Sequence, residues 1–242
     1  MALGSQPRWT VRPAVGQVQA DIDVGLRDYM LRIYNYMASG LALTGIVAYV
    51  FASSGMYAQV AATPLIWLII LAPIGFVLLF SFGLERMNAG TAQVLFWVFA
   101  AVMGLSLASV FIRFTGESIA RVFFITAGTF AAMSFYGYTT KRDLTQIGSF
   151  LIMGLIGIMI ASIVNLFIGS SALQFAISVI GVIVFVGLTA WDTQRIKESY
   201  YEYQYADGQT AGKQAIMGAL MLYLDFINLF VMLLQLLGAR RD

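Results

Sequence analysis

The sequence predicts an all-α membrane protein, built as a bundle of seven transmembrane helices. Two proportions indicate the membrane: 60% of the 242 residues are hydrophobic and only 11% are charged, whereas an ordinary globular domain is about 45–50% apolar and about 25% charged. The third observation is spacing, because the apolar residues fall into consecutive segments of about 20 residues, the length that crosses a bilayer as a helix. A soluble fold of this composition would lack the charge to cover its surface.

Each apolar segment of the sequence predicts one transmembrane helix. None contains a run of charges, and none alternates as membrane-barrel strands do, so each is expected to bond its backbone internally as a helix. Small residues spaced four apart predict close helix contacts, at Gly104 with Ala108, Gly128 with Ala132 and Gly157 with Ala161. The segments are residues 31–51, 64–82, 92–112, 119–138, 147–168, 173–191 and 216–237.

The segments at the two ends of the chain are polar. Residues 1–29 lack the basic end, short apolar run and small residues of a secretory signal. We expect a polar cytoplasmic tail over residues 1–29, one transmembrane domain over residues 30–238 and a short C-terminal tail over residues 239–242. Asp21 or Asp23 is the expected start of the first helix.

The distribution of Lys and Arg predicts a cytoplasmic N-terminus, since loops rich in these residues stay inside. The C-terminus is then outside. Arg240 and Arg241 disagree with this orientation, and a re-entrant last segment is the alternative that would return them to the cytoplasm. With the N-terminus inside, most basic residues are cytoplasmic, namely Arg8, Arg12, Arg27, Arg32, Arg86, Lys141, Arg142, Arg195, Lys197 and Lys213.

The composition also excludes several chemistries. The chain has no cysteine and no histidine, which excludes disulfides, thiolate nucleophiles and the usual zinc ligands. The net charge of +2 is spread along the chain and gives no sign of nucleic-acid binding. Asp225 does not follow the Gly-x-Gly pattern of aspartyl intramembrane proteases, and no lysine lies inside the last segment for a retinal Schiff base. We expect neither an enzyme nor a bound cofactor.

Two acidic residues are the candidate functional groups. Asp225 lies about 15 Å along the last apolar segment, at about 1.5 Å per residue, and charges at such depth usually mark function. Asp192 closes the sixth segment. The expected turn between these two helices is residues 206–209, and the aspartates are nearly equidistant from it along the chain. If both helices continue to the turn as an antiparallel pair, the two carboxyls lie at matched depth and face each other.

Facing carboxyls in a poorly solvated place predict a pH-sensitive gate. Burial and a neighbouring like charge each disfavour ionisation, so the pair is expected to share a proton and to titrate as a unit near neutral pH. Once ionised, the two groups repel each other and attract a cation. Hard cations such as calcium prefer oxygen ligands, so transient calcium binding at Asp192 and Asp225 is expected.

Structural alternatives stay open for both residues. Asp192 is also in position to pair with Arg195 as an interfacial residue beside Trp191. Asp225 shares its helix face with Asn228 and Gly218, which together would form a polar seam between helices.

Three stretches of the chain form recognisable motifs. The most specific is Tyr223-Leu224-Asp225-Phe226-Ile227-Asn228-Leu229-Phe230, followed by Leu233-Leu234. The other two are Thr139-Thr140-Lys141-Arg142-Asp143-Leu144 and Asp192-Thr193-Gln194-Arg195-Ile196. With these motifs, the chain resembles the transmembrane Bax inhibitor motif family over roughly residues 25–238.

The resemblance implies a seven-helix bundle with the last helix central, and a pH-dependent calcium leak controlled by an aspartate pair that matches Asp192 and Asp225. It also implies a latch arginine, for which Arg86 is an approximate match. Bacterial members are associated with a membrane-bound ATP-dependent protease, so modulation of that protease or of stress survival is the alternative function. The expected location is the bacterial inner membrane.

Overall fold

The computed structural model describes residues 15–203 and 208–241. All the long secondary-structure elements in these residues are α-helices. The fold class predicted from the sequence is confirmed. These residues contain eight α-helices, and all of them except α2 are long and apolar enough to cross a membrane, which gives seven candidate spans. The helices are α1 (Val15–Ser53), α2 (Met56–Ala61), α3 (Leu65–Gly83), α4 (Ala89–Arg113), α5 (Gly116–Thr139), α6 (Thr145–Ile168), α7 (Ser171–Tyr203) and α8 (Gly208–Leu237), with a 3₁₀ turn at Leu84–Arg86.

Helix pairs organise the bundle. The most extensive contacts join α1 to α4 and α7 to α8, while α5 and α6 both pack on α7. Helix α8 also packs against α1, α4 and α5, and it has the largest buried share of the seven candidate spans. A position of the last helix at the centre of the bundle stays a prediction.

The first helix begins earlier than expected. It starts at Val15 rather than at Asp21 or Asp23. The sequence explains the difference, because no proline follows Pro13 in this stretch and residues 17–20 include Gln and Ala, which favour a helix. The functional division of residues 1–29 from the rest of the chain stays a prediction, and residues 1–14 lie outside the described part of the chain.

Side-chain caps explain other helix boundaries. The Oδ1 atom of Asn88 accepts a hydrogen bond from the Thr91 N–H at the start of α4. At the start of α6, Asp143 Oδ1 accepts from the Thr145 N–H at 2.8 Å. The side-chain and backbone hydrogen bonds of Thr145 hold the pKa of the exposed Asp143 carboxyl below its ordinary value. Helix α6 ends at Gly169, whose φ of +67° is favourable only for glycine.

Helix α8 is one continuous helix along the bundle. The re-entrant alternative for the last segment stays a prediction, as does the side of the membrane on which Arg240 and Arg241 lie. At the start of α8, Gln209 accepts a hydrogen bond from the Ala89 N–H at the start of α4. Beyond its end, residues 239–241 pair with the connection that follows α4, through Thr115 N–H to Ala239 O at 3.0 Å and Arg241 N–H to Arg113 O at 2.9 Å. These backbone bonds fix the C-terminal segment at the opposite end of the bundle.

One of the three predicted small-residue contacts is confirmed. A Cβ on Gly104 would lie 2.7 Å from the Thr44 carbonyl oxygen of α1, so α1 and α4 approach closely there. Gly128 and Gly157 are both exposed, and a Cβ on either would meet nothing within 4 Å. The contact predictions at these two glycines are therefore wrong, since both lie on the outer surface of the bundle.

Candidate functional site

The structure brings Asp192 and Asp225 together across the α7–α8 interface. Helix α7 continues past Trp191 to Tyr203. The predicted facing pair of aspartates required this continuation of the helix toward the turn. The two carboxyl groups lie within hydrogen-bonding reach of each other. Two carboxylates are both acceptors, so a hydrogen bond between them requires a proton on one of the two. Of the expected turn between the helices, Gly208 and Gln209 belong to α8, and residues 206 and 207 lie outside the described part of the chain.

The two aspartates differ in how deeply they are buried. Asp225 is 5% exposed, whereas Asp192 is half-buried on the side of the loop that follows α7. The Oδ2 atom of Asp225 is buried, and no donor among the described residues reaches it. A buried acceptor without a donor is unfavourable by about 1–3 kcal/mol, and by more if it is charged. A proton shared with Asp192, or a cation, would satisfy this oxygen.

The other predicted site residues lie at different distances from the pair. Arg195 is close enough for its charge to act on Asp192, and its guanidinium lies 5.5 Å from the centre of the Trp191 ring. The Asn228 side chain donates to the Leu224 carbonyl oxygen of its own helix at 2.8 Å. Arg86 is exposed in the turn after α3. The supporting roles of these three residues stay predictions.

Gln194 is a site residue that the sequence interpretation missed. It is 6% exposed, and its side chain bonds the backbone on both sides of Asp143: Oε1 accepts from the Leu144 N–H and Nε2 donates to the Arg142 carbonyl oxygen, each at 2.8 Å. Lys197 adds a third contact, from its Nζ to the Tyr138 carbonyl oxygen at 2.8 Å. These bonds join residues 138–144 to residues 194–197. The sequence offered two signals for Gln194: it is a polar residue one turn beyond an apolar segment, and it belongs to the family-like stretch at residues 192–196.

A chain of hydroxyl groups also reaches the residue next to Asp192. Thr193 donates to the Thr189 carbonyl oxygen at 2.7 Å, so Ser134 is left to donate to Thr193, at 2.9 Å. Tyr34 of α1 then donates to Ser134 of α5. The chain links three helices at the depth of the carboxyl pair.

A second buried network fixes α8 two residues before Asp225. Thr44 of α1 donates to the Ala100 carbonyl oxygen of α4 at 2.8 Å. The hydroxyl of the fully buried Tyr223 donates to Thr44 at 2.7 Å. Phe96 and Phe99 pack edge-on against the Tyr223 ring. This part of α8 is therefore held by both polar and aromatic contacts.

A polar cavity approaches the pair from one end of the bundle. It has a volume of about 230 Å³ and lies between α7 and α8, within one helical turn of each aspartate. Its lining includes Arg195, Glu198, Glu202, Gln214, Gly218 and Met221. We call it the inner vestibule.

In the opposite direction, the interior beyond the pair is apolar. Buried α8 residues there include Phe226, Leu229 and Leu233. Past this apolar layer, the Gln174 amide of α7 donates to Gln235 of α8, and Ser178 donates to the same Gln235 oxygen at 2.8 Å. The described interior on the far side of the pair is therefore filled by apolar side chains, with a polar cluster beyond them.

The family of this chain follows from comparison with known proteins. The family model described as inhibitor of apoptosis-promoting Bax1 matches residues 26–242. The chain belongs to this Bax inhibitor-like family. The resemblance of the three sequence segments is thereby confirmed, and they coincide with the elements that surround the carboxyl pair.

Several bacterial relatives match this family member over nearly their full length. The inner membrane protein YbhL of Escherichia coli is 48% identical, over 90% of this chain and 94% of the relative. An uncharacterized protein of Rickettsia prowazekii is 53% identical, over 91% of this chain and 93% of the relative. An uncharacterized membrane protein of Streptococcus pyogenes is 36% identical, over 89% and 94%. This family member is an integral membrane protein.

The chemistry available at the pair is that of two carboxyl groups. Calcium in proteins takes about six to eight oxygen ligands. Among the described residues, no group of three or more acidic side chains is placed to hold a metal ion. The two carboxyl groups alone provide fewer oxygens than a bound calcium ion takes.

Proposed function

We propose that this family member is a pH-sensitive leak channel for cations, calcium among them, and that Asp192 and Asp225 form its gate. One observation carries the proposal: the Asp225 carboxyl is buried, faces the Asp192 carboxyl, and has an oxygen that no donor of the described residues reaches. An arrangement made only for stability would pair a buried acid with a donor.

The gate works through the number of protons on the pair. With one shared proton, the two carboxyls form a hydrogen bond that holds α7 against α8. When that proton leaves, two negative charges face each other at short range. Two unit charges about 4 Å apart repel by about 4 kcal/mol at an effective dielectric constant of about 20. This repulsion favours separation of the helices or entry of a cation, so flux rises with pH.

The inner vestibule supplies the entry path. Glu198 and Glu202 line it, and acidic walls raise the local concentration of cations. Met221, one turn before Asp225, is the lining residue of α8 nearest to the pair along the chain. Separation of α7 from α8 at the pair would extend this water-accessible space toward the apolar layer.

The location of the gate follows from the proposed orientation. We place the N-terminus in the cytoplasm of a bacterial cell and the C-terminus outside, across the inner membrane, because the Lys and Arg residues concentrate in the corresponding loops. The inner vestibule then opens to the cytoplasm, and the pair responds to cytoplasmic pH.

The test is calcium flux into liposomes that contain the full-length protein, measured between acidic and alkaline pH. We expect wild-type flux to rise about tenfold or more, which corresponds to about 1.4 kcal/mol of gating energy. In Asp192→Asn and Asp225→Asn, an amide replaces one titrating group, and the pH response should fall below about twofold.

Asp143→Asn is the matched control, since Asp143 is an exposed aspartate in the α5–α6 loop and asparagine caps a helix equally well. This variant should keep the wild-type pH response. Wild-type pH dependence in both Asp192→Asn and Asp225→Asn would refute the proposal.

A second candidate function is modulation of a membrane-bound ATP-dependent protease. The supporting observation is the polar sequence of residues 1–23, which precedes the first apolar segment. We propose that a partner protein recognises this polar stretch. Deletion of residues 1–23 should abolish an effect on proteolysis and leave calcium flux intact. Unchanged proteolysis would count against this role.

A further inference from the structure

A deep cleft opens between α1 and α5 on the outer surface of the bundle. Its volume is about 720 Å³, within the range of about 300–1,000 Å³ that is typical of small-molecule sites. Met30 and Met37 contribute the α1 wall, Phe130 and Phe135 the α5 wall, and Phe226 of α8 also lines it. These side chains make the walls almost entirely apolar.

The cleft runs along the helix axes. On α1 its lining extends from Arg27 to Met37, and on α5 from Tyr138 to Ala127. At about 1.5 Å per residue, both stretches are about 15 Å long. The cleft therefore extends from one membrane surface to about the middle of the hydrocarbon core, which is about 30 Å thick. This shape accepts an extended acyl chain.

Positive charge lies at the surface end of the cleft. The exposed Arg27 is part of the lining. The Nζ of Lys197 lies 5.4 Å from the centre of the Tyr138 ring, and Tyr138 lines the same end. Arginine binds phosphate through two parallel hydrogen bonds, and basic sites between membrane helices on the cytoplasmic side bind anionic headgroups.

The other half of the α1–α5 gap provides an internal comparison. A separate cavity of about 310 Å³ lies there, with Leu41, Ala48, Phe123 and Phe230 in its lining and no charged residue. Phe226 lines both cavities and divides the gap near its middle. Of these two cavities, the cleft that ends at Arg27 is the one that has both a groove long enough for an acyl chain and a positive charge that can bind a headgroup.

We propose that the α1–α5 cleft is a binding site for an anionic phospholipid, with one acyl chain in the groove and the phosphate at Arg27. The lipid would contact Tyr34 and Ser134, which lead by hydrogen bonds to Thr193 beside Asp192. It would also contact Phe226 beside Asp225. The site itself does not depend on the proposed channel activity.

The test is native mass spectrometry of the full-length protein in detergent, with added phosphatidylglycerol or phosphatidylcholine of the same acyl chains. The wild type should retain phosphatidylglycerol about tenfold more strongly than phosphatidylcholine. Arg27→Gln should remove this preference. Arg32→Gln is the matched control, because Arg32 lies on the same helix but lines a different groove, and it should behave as the wild type.

A second pair of variants tests the groove. Ala131→Phe fills the cleft and should reduce retention of both lipids about tenfold, whereas Ala132→Phe, at an exposed position outside the lining, should not. Equal retention of the two lipids by the wild type would overturn the proposal, as would a preserved preference in Arg27→Gln. If Ala131→Phe instead converts a dimer to a monomer with unchanged lipid retention, a second copy covers the cleft and the proposal is wrong.

Discussion

At the scale of single residues, the molecule depends on how a few polar side chains are satisfied inside an apolar bundle. Most of them bond to backbone carbonyls or hydroxyls, as Thr44, Thr189 and Ser178 do. Asp225 differs, because the group facing it is another acid. Polar groups inside a membrane bundle are costly to leave unpaired, so the proton that we propose between the carboxyls would stabilise the bundle as well as set the gate.

The sequence identified the aspartates but not the residues that hold them. Asp225 stands out because it interrupts a long apolar segment, and Asp192 follows from its matched distance to the turn. Gln194 gives no comparable signal, since its partners are backbone groups of Arg142 and Leu144. Every residue offers backbone groups as hydrogen-bond partners, so the sequence alone does not show which of them the Gln194 side chain bonds.

At the scale of elements, backbone contact between α5 and α7 positions the Asp192 region. A Cβ on Gly137 would overlap the carbonyl group of Ala190, two residues before Asp192. A Cβ on Gly148 would likewise overlap the ring of Trp191. Both glycines therefore allow α7 to lie directly on its neighbours.

Gly137→Ala should destabilise the protein, because the added methyl meets backbone that cannot move aside without shifting a helix. Overpacking of this kind costs about 1–3 kcal/mol. Thermal unfolding in detergent, followed by tryptophan fluorescence, measures the loss. Gly128→Ala, on the same helix with open space around it, should be neutral or slightly stabilising, since alanine is the better helix former. Equal stability of the two variants would contradict the close approach.

The sequence could not distinguish these glycines. In a soluble protein, hydrophobicity separates the inner face of a helix from the outer one, but in a membrane both faces are apolar because lipid is as apolar as the protein core. Gly104, Gly128 and Gly157 each begin the same small-residue spacing, and only Gly104 lies at a close contact. The number of long apolar helices was therefore predictable, while most helix contacts were not. The α7–α8 pair is the exception, because Asp192 and Asp225 lie at matched distances from the turn between these helices.

At the scale of the whole molecule, Tyr29 and residues 239–241 lie at opposite ends of the bundle. Tyr29 of α1 lies near Ser199 at the end of α7, whereas residues 239–241 bond to the connection between α4 and α5. Seven apolar segments predict such an arrangement, since an odd number of membrane crossings puts the two ends of a chain on opposite sides. The orientation of the chain in the membrane stays a prediction, and Arg240 and Arg241 disagree with it.

Single-cysteine labelling tests the orientation, since the natural chain has no cysteine. A cysteine introduced at Arg142, in the α5–α6 loop, should react with a membrane-impermeant maleimide only after the cells are opened. A cysteine at Arg240 should react in intact cells whose outer membrane has been permeabilised. The reverse pattern would show that the N-terminus is outside and that the inner vestibule faces away from the cytoplasm.

The central claim is that Asp192 and Asp225 share a proton, and infrared spectroscopy of the lipid-reconstituted protein tests it most directly. The full-length wild type is titrated across neutral pH beside the double variant Asp192→Asn/Asp225→Asn. The predicted result is a protonated-carboxyl band that disappears as pH rises in the wild type and is missing from the double variant at every pH. Indistinguishable carboxyl spectra of the two proteins throughout the titration would contradict the claim.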